Sequence, residues 1–212
     1  CMKDKKGKRV IAFGRWAGIV GANHALRMVG FRTSKFRLRQ MIDCLNFAEA
    51  QKELEKLDLP NWKIVLTGTG RVSEGAAFML DVAGIKKVSP YNFCYNEFEE
   101  PVYTQLSSAD MYHKEGEGKF NAENYHAHPQ QYQSSFYAFI KAADIMINGI
   151  YWDKRIPVFF TKEQMKERDF RIKIISDITC DVAPDSSIPS TLYASSIADP
   201  YYGYNVATGE LI

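Results

Sequence analysis

The sequence has no long apolar run. No stretch approaches the ~20 consecutive apolar residues that a membrane-spanning helix needs, so no membrane partner is expected. Charge of one sign is also missing. Lys and Arg number 27 and Asp and Glu 25, a formal net charge of +2. Such a balance leaves no electrostatic footprint for nucleic acid. Cysteine is scarce: Cys1, Cys44, Cys94 and Cys180 lie far apart and form no CxxC pair. Neither a disulfide framework nor a zinc site is expected, and reduced thiols in the cytoplasm are the simpler reading. The basic start is followed by only a short apolar stretch that Arg15 interrupts, with no small-residue cleavage site, unlike a secretory signal. There is no internal repeat and no low-complexity tract.

What is present suits a folded domain. Of 212 residues, 46% are hydrophobic and 25% charged, which is ordinary globular usage. A chain of this length buries roughly 70% of its unfolded surface, enough for a core without disulfide or metal. An apolar run at 8–13 reads as a buried strand. From Arg15 to Leu26 small and apolar residues recur at spacings of three and four, which predicts a tightly packed helix. A longer amphipathic pattern over 36–57 predicts another. Residues 62–67 form a second apolar run and lead straight into Gly68-Thr69-Gly70. A helix is predicted to follow and to stop at Gly84, where a left-handed residue is expected. Short strands are predicted at 85–88 and 102–106, a long loop with one helical turn over 114–133, a helix at 136–143 and a strand at 144–149. Thr161 is expected to cap a helix over 161–168. The last clear strand is 172–177, and 181–212 reads as irregular. Buried strands alternating with helices predict an α/β fold, a Rossmann-type doubly wound parallel sheet with helices on both faces. Residues 61–212 are expected to form that domain, and 1–60 a preceding strand and connecting helices.

Gly68 and Gly70 sit where a strand becomes a helix. A dinucleotide-binding sheet needs glycine there, once for the tight turn and once so that backbone can approach a pyrophosphate at the helix N-terminus. The usual GxGxxG would put a third glycine at 73; this chain has Ser73, with Gly75 nearby. A plain structural turn is the alternative reading of a lone GxG. The acidic residue that holds an adenosine ribose ~20 positions on is also absent. The second strand ends Val88-Ser89-Pro90, so NADP is at least as plausible as NAD, and Ser89 can bond either ribose. Arg71 can reach a phosphate or simply cap the loop.

Four segments taken together resemble one family: Val10-Ile11-Ala12-Phe13-Gly14-Arg15-Trp16-Ala17-Gly18, Thr67-Gly68-Thr69-Gly70-Arg71-Val72-Ser73, Ile147-Asn148-Gly149-Ile150-Tyr151-Trp152 and Asp177-Ile178-Thr179-Cys180-Asp181. Their order and spacing are similar to the saccharopine dehydrogenases and, more closely, to the lysine–ketoglutarate reductase part of bifunctional aminoadipate-semialdehyde synthases, within the alanine dehydrogenase and transhydrogenase superfamily. The resemblance implies two Rossmann-like lobes around a cleft. It implies an NAD or NADP cofactor, and hydride transfer at the C–N bond of an amino acid formed from or split to a 2-oxo acid. The catalytic Lys and His of that family lie in a lobe before the FGxxAG segment. The chain is therefore expected to be the cofactor lobe of a longer enzyme, its start at Cys1 marking a cut, and to bind cofactor without turnover.

The resemblance also implies site roles. Gly68, Thr69, Gly70, Arg71 and Val72 would hold the cofactor phosphates. Gly149, Ile150 and Tyr151 would border the nicotinamide end; the alternative for Tyr151 and Trp152 is a core or lobe-interface aromatic. Asp177 or Asp181 would face the nicotinamide and the substrate amine, although an Asp at a strand end is otherwise a turn former. Arg15 would pair with a substrate carboxylate or else lie on a packed hinge helix. His126 and His128 read as loop residues, since a metal would need a third ligand, and Cys180 reads as a small buried thiol. Another amino-acid dehydrogenase of the superfamily, or a non-catalytic nucleotide-sensing domain, are the other functions weighed.

Overall fold

The structure, a computed structural model, describes residues 2–7, 10, 12–116 and 119–212. The strand predicted at 8–13 falls partly on residues 8, 9 and 11, outside the described residues; the described Val10, Ala12 and Phe13 carry no strand.

The order along the chain is α1 (Gly14–Thr33), α2 (Phe47–Glu53), β1 (Lys63–Thr67), α3 (Arg71–Val82), β2 (Lys86–Lys87), α4 (Pro90–Tyr95), β3 (Val102–Leu106), α5 (Ser108–Met111) and β4 (Tyr112–Lys114). Then follow α6 (Ala122–Ala127), β5 (Tyr132–Ser134), α7 (Tyr137–Ala142), β6 (Ile145–Asn148), α8 (Lys162–Met165), β7 (Ile174–Asp177), β8 (Tyr204–Asn205) and β9 (Glu210–Leu211). Five strands make one parallel sheet in the order β2-β3-β1-β6-β7. This is the α/β, Rossmann-type architecture the sequence predicts. The central strands β1 and β6 are buried along their whole length, as strands covered on both faces must be.

One face of the sheet is covered by α1 and α3. Their apolar side chains join Ile64, Leu66, Ile145 and Ile147 in one cluster. The contact is made by glycines. A Cβ on Gly18 would lie 1.8 Å from the Val72 carbonyl oxygen, and one on Gly75 would lie 2.0 Å from that of Arg15. Helix backbones come this close only where neither residue carries a side chain. The small-residue spacing in the sequence is thus the imprint of this contact. The opposite face is covered by α4, α7 and the segment 107–136, and its core is aromatic: Phe93, Tyr112, Tyr125, Tyr132, Phe136, Phe159 and Phe160 pack with Val65 and Met146.

Three expectations are corrected. The continuous helix over 36–57 is broken. Asn46 caps α2 by accepting from the Glu49 N–H at 3.0 Å, so residues 41–43 and 54–56 form separate single turns. The 114–133 segment is more ordered than a loop, because β4 and β5 pair antiparallel around α6. In the tail, β8 and β9 form a small hairpin. Gly84 has φ +75°, the left-handed stop that was expected, and Thr161 caps α8.

Candidate functional site

Strands β2 and β3 lie to one side of β1, the first strand of the sheet in chain order, and β6 and β7 to the other. The winding reverses between β1 and β6, and in such sheets ligands bind beyond the carboxyl ends of the strands at that point. The residues there are Thr67 and Gly68 on one side and Asn148 and Gly149 on the other.

The turn after β1 is built by two glycines with different tasks. Gly68 has φ +90°, and a Cβ on it would lie 2.8 Å from Ser73 Oγ. Its N–H donates to the Leu106 carbonyl at 2.8 Å, and Gln105 Nε2 donates to its carbonyl at 3.1 Å. Gly70 has ordinary extended dihedrals (φ −85°, ψ −178°) and is the N-cap of α3, with no side-chain capping bond. A Cβ on Gly70 would meet nothing within 4 Å. Space therefore lies open in front of the first turn of a twelve-residue helix. The first N–H groups of a helix have no intrahelical partner and carry partial positive charge. Thr69 and Arg71 are exposed beside that space, and Val72 is half-buried.

Ser73 does more than tolerate the missing glycine. It is fully buried; its hydroxyl donates to the Thr67 carbonyl at 2.8 Å and lies 3.2 Å from the Gly149 carbonyl. It ties the start of α3 to the ends of β1 and β6. Glycine is required at 149 because a Cβ there would lie 2.6 Å from that same oxygen.

A polar chain continues across the sheet. Thr67 Oγ1 donates to Asn148 Oδ1 at 2.6 Å, and Asn148 Nδ2 donates to Asp177 Oδ1 at 2.9 Å and Ser187 Oγ at 3.2 Å. Asp177 also accepts from the Thr179 N–H and hydroxyl, and from the Thr191 hydroxyl at 2.7 Å. In this structure its carboxylate ties β6, β7 and the tail together. Asp181 is half-buried nearby, and burial, with the Asp177 charge second, pushes its carboxyl above the usual carboxylate range.

The remaining candidates are spread out. Arg15 is exposed, with its guanidinium 4.5 Å above the Phe78 ring, so its charge is placed against α3. Ser89 accepts from the Asn92 N–H at 3.2 Å and caps α4. It follows β2, and β3 stands between β2 and β1, so at ~5 Å per strand it is about 10 Å from the glycine turn's strand. Next to the turn stand Gln105 and, bonded to it at 2.7 Å, Lys87. Ile150 borders Gly68, and Tyr151 is almost fully exposed. Both line a cavity of about 120 Å³ beneath the 108–129 segment. Asp177, Cys180 and Asp181 line a larger open concavity of about 960 Å³ between α1 and the tail.

Gly68, Thr69, Gly70, Arg71, Val72, Gly149 and Ile150 are thus one locus, with Asp177 joined to it through Asn148. Sequence reasoning missed Asn148, Ser187, Thr191 and Gln105. Asn148 carried a signal, as a polar residue closing a buried strand; the other three carried none.

No protein-family model matches the chain. Curated relatives do. An Arabidopsis thaliana alpha-aminoadipic semialdehyde synthase is 27% identical over 94% of this chain and 22% of its own length. The mitochondrial enzymes of that name from Rattus norvegicus and Bos taurus are 28% and 29% identical over 76% of the chain and 20% of their own length. The chain therefore spans about a fifth of the length of these relatives. A solved L-alanine dehydrogenase aligns with 92% of the chain and 45% of its own, at TM-score 0.44 and 11% identity. The resemblance read from the sequence motifs is borne out by the alpha-aminoadipic semialdehyde synthases.

Proposed function

We propose that this chain is an NAD- or NADP-binding domain of an oxidoreductase of amino-acid metabolism, one that transfers hydride to or from a carbon–nitrogen bond. The observation that carries the reading is the open space at Gly70, facing the uncapped N-terminus of α3 at the point where the sheet's winding reverses. A pyrophosphate has the charge and the acceptor oxygens that this helix start lacks. The residues present fit the group: Gly68 makes the turn, Gly70 leaves room, the amides of the first turn donate, and Arg71 adds a cation at the edge.

The cofactor would supply the hydride, and the protein would bind and orient it. In this reading Gly149 and Ile150 border the nicotinamide half, where β6 ends beside the glycine turn. Ser73 holds the two strand ends in register with α3. Asn148 fixes the Gly149 peptide from below through Thr67 and Asp177. The substrate, an amino acid or its 2-oxo acid, is a proposal drawn from the names of the relatives. The amine-handling groups belong to the same proposal, with Asp181 the candidate on this chain because Asp177 is taken up by bonds. The chain alone is expected to bind cofactor without turning it over.

The test is a titration with NADH and NADPH in parallel, read by energy transfer from Trp16, Trp62 and Trp152 to the reduced nicotinamide. Saturable binding of either supports the reading and shows which ribose the protein accepts. Failure of both overturns it.

A further inference from the structure

The aromatic face of the sheet contains a cavity that meets the glycine turn at Ile150. It measures about 120 Å³, and Met111, Tyr112, Tyr125, Tyr151, Asp153 and Ser108 contribute to its lining. At ~15 Å³ of such volume per water, that is room for roughly eight probe spheres, enough for a group of a few heavy atoms. A dinucleotide does not fit.

The walls are fixed. Tyr112 and Tyr125 are buried with ring centroids 5.4 Å apart, and Tyr125 meets Tyr132 edge-on at 5.0 Å. Tyr132 is pinned in turn, its hydroxyl donating to the Asn121 carbonyl at 3.0 Å. Tyr112 donates to the Pro157 carbonyl at 3.2 Å. The charge in the lining is one-sided. Among the described residues no Lys or Arg lines the cavity; Asp153 brings a carboxylate, and His126 stands exposed at the edge.

Arg155, which is not among the lining residues, holds Asp153. Its backbone N–H and Nε reach Oδ1 at 2.9 and 3.0 Å, and Nη2 reaches Oδ2 at 2.6 Å. The Arg155 side chain is 57% exposed, so water screens the pair, while its two-pronged geometry and the backbone bond keep it in place. A ligand cation in the cavity therefore competes with Arg155 for the carboxylate. Aromatic faces beside a carboxylate are the chemistry that recognises an ammonium group.

We propose that this cavity is a binding site for a compact organic cation, a primary ammonium on a short apolar chain. The ammonium takes over the Asp153 carboxylate from Arg155, and the alkyl part lies against Met111, Tyr112 and Tyr125. An anion of the same size would face Asp153 with no Lys or Arg among the described lining residues to hold it. A neutral analogue would gain the apolar wall and forgo the carboxylate. The site shares Ile150 and Tyr151 with the nicotinamide border proposed above, but its cation is recognised by Asp153 and does not require a bound dinucleotide.

The full chain, free of dinucleotide and labelled at its Met and Ile methyl groups, is titrated with n-butylammonium, n-butanol and butyrate. The Met111 and Ile150 methyl signals are followed by NMR. Saturable shifts with n-butylammonium, at least tenfold weaker binding of n-butanol and none of butyrate are expected. Asp153→Asn should lose at least tenfold in ammonium affinity, and Arg155→Gln should gain several-fold by freeing the carboxylate. Equal binding of the alcohol, binding of butyrate, no saturable response, or weaker binding by Arg155→Gln overturns the proposal. If Asp153→Asn does not fold, the three ligands on the wild type and the Arg155→Gln variant decide. None of these outcomes bears on the glycine turn.

Discussion

On one face of the sheet α1 and α3 meet backbone to backbone through Gly18 and Gly75; on the other, rings of Tyr112, Tyr125, Phe136 and Phe159 fill the space. The α1–α3 contact has no spare volume, because a single added carbon at Gly18 meets main-chain atoms that cannot move aside. The second face is held by bulk, and rings of fixed shape leave the cavity beside Asp153. The contrast has a functional side. The glycine face fixes where α3 starts, and hence where its amides point. The aromatic face tolerates a gap, and a gap can hold a ligand.

Removing bulk from the aromatic face should produce the largest effect on stability. Phe136 is fully buried, and Phe136→Ala is expected to destabilise by about 4 kcal/mol, read as a shift in denaturant midpoint. Adding bulk to the glycine face comes next. Gly18→Ala places a methyl group 1.8 Å from the Val72 carbonyl oxygen, and is expected to cost about 3 kcal/mol. One added carbon would then nearly equal the loss of a whole ring; a cost under about 1 kcal/mol would mean that α1 and α3 can separate freely, and would break the comparison.

The ion cluster that docks α2 beside the glycine face gives a smaller and pH-dependent effect. Glu53 is buried; it accepts from Lys56 Nζ at 2.7 Å and from Arg39 Nε at 3.0 Å. The Lys56 ammonium first, and then the Arg39 bonds, outweigh the opposing cost of burial and hold its carboxyl down at about 2. A depressed carboxylate stabilises the fold above its unfolded value of 4.5 and loses that contribution as pH falls towards 2. Glu53→Gln is therefore expected to cost about 2 kcal/mol at neutral pH, with the deficit shrinking as the wild type is taken below pH 4. A deficit independent of pH would show that packing, and not charge, is what Glu53 supplies. The smallest effect belongs to Gly84, whose φ of +75° strains any side chain but whose Cβ would meet nothing within 4 Å. Gly84→Ala should cost about 1 kcal/mol, the conformational term without a clash, and so sets the baseline for Gly18.

Much of the sheet was legible because its signals are local. A fully apolar run followed by glycines, as at β1, reads as strand, turn and helix from neighbouring residues alone. The glycine face was legible for the same reason, since Gly14 and Gly18 repeat at helical spacing. Strand order was not. Placing β3 between β1 and β2 depends on which strands pair, and that moved Ser89 to the sheet edge as a helix cap. The break at Asn46 was hidden because the apolar pattern runs on across it, while the cap and the Arg39 bonds to Glu49 and Glu53 override the periodicity. Within the site, the glycines were readable from type and spacing. The role of Ser73 and the Thr67–Asn148–Asp177 chain depend on partners as much as 81 residues apart, which no local pattern records.

The most direct measurement concerns Gly70, where stability and binding separate. Its dihedrals suit any residue and its Cβ would enter open space. Gly70→Val should therefore change stability by no more than about 0.5 kcal/mol. If a pyrophosphate approaches the backbone there, the same variant loses at least tenfold in affinity for NADH or NADPH. Unchanged affinity in a folded Gly70→Val protein would contradict the placement of the cofactor at this turn.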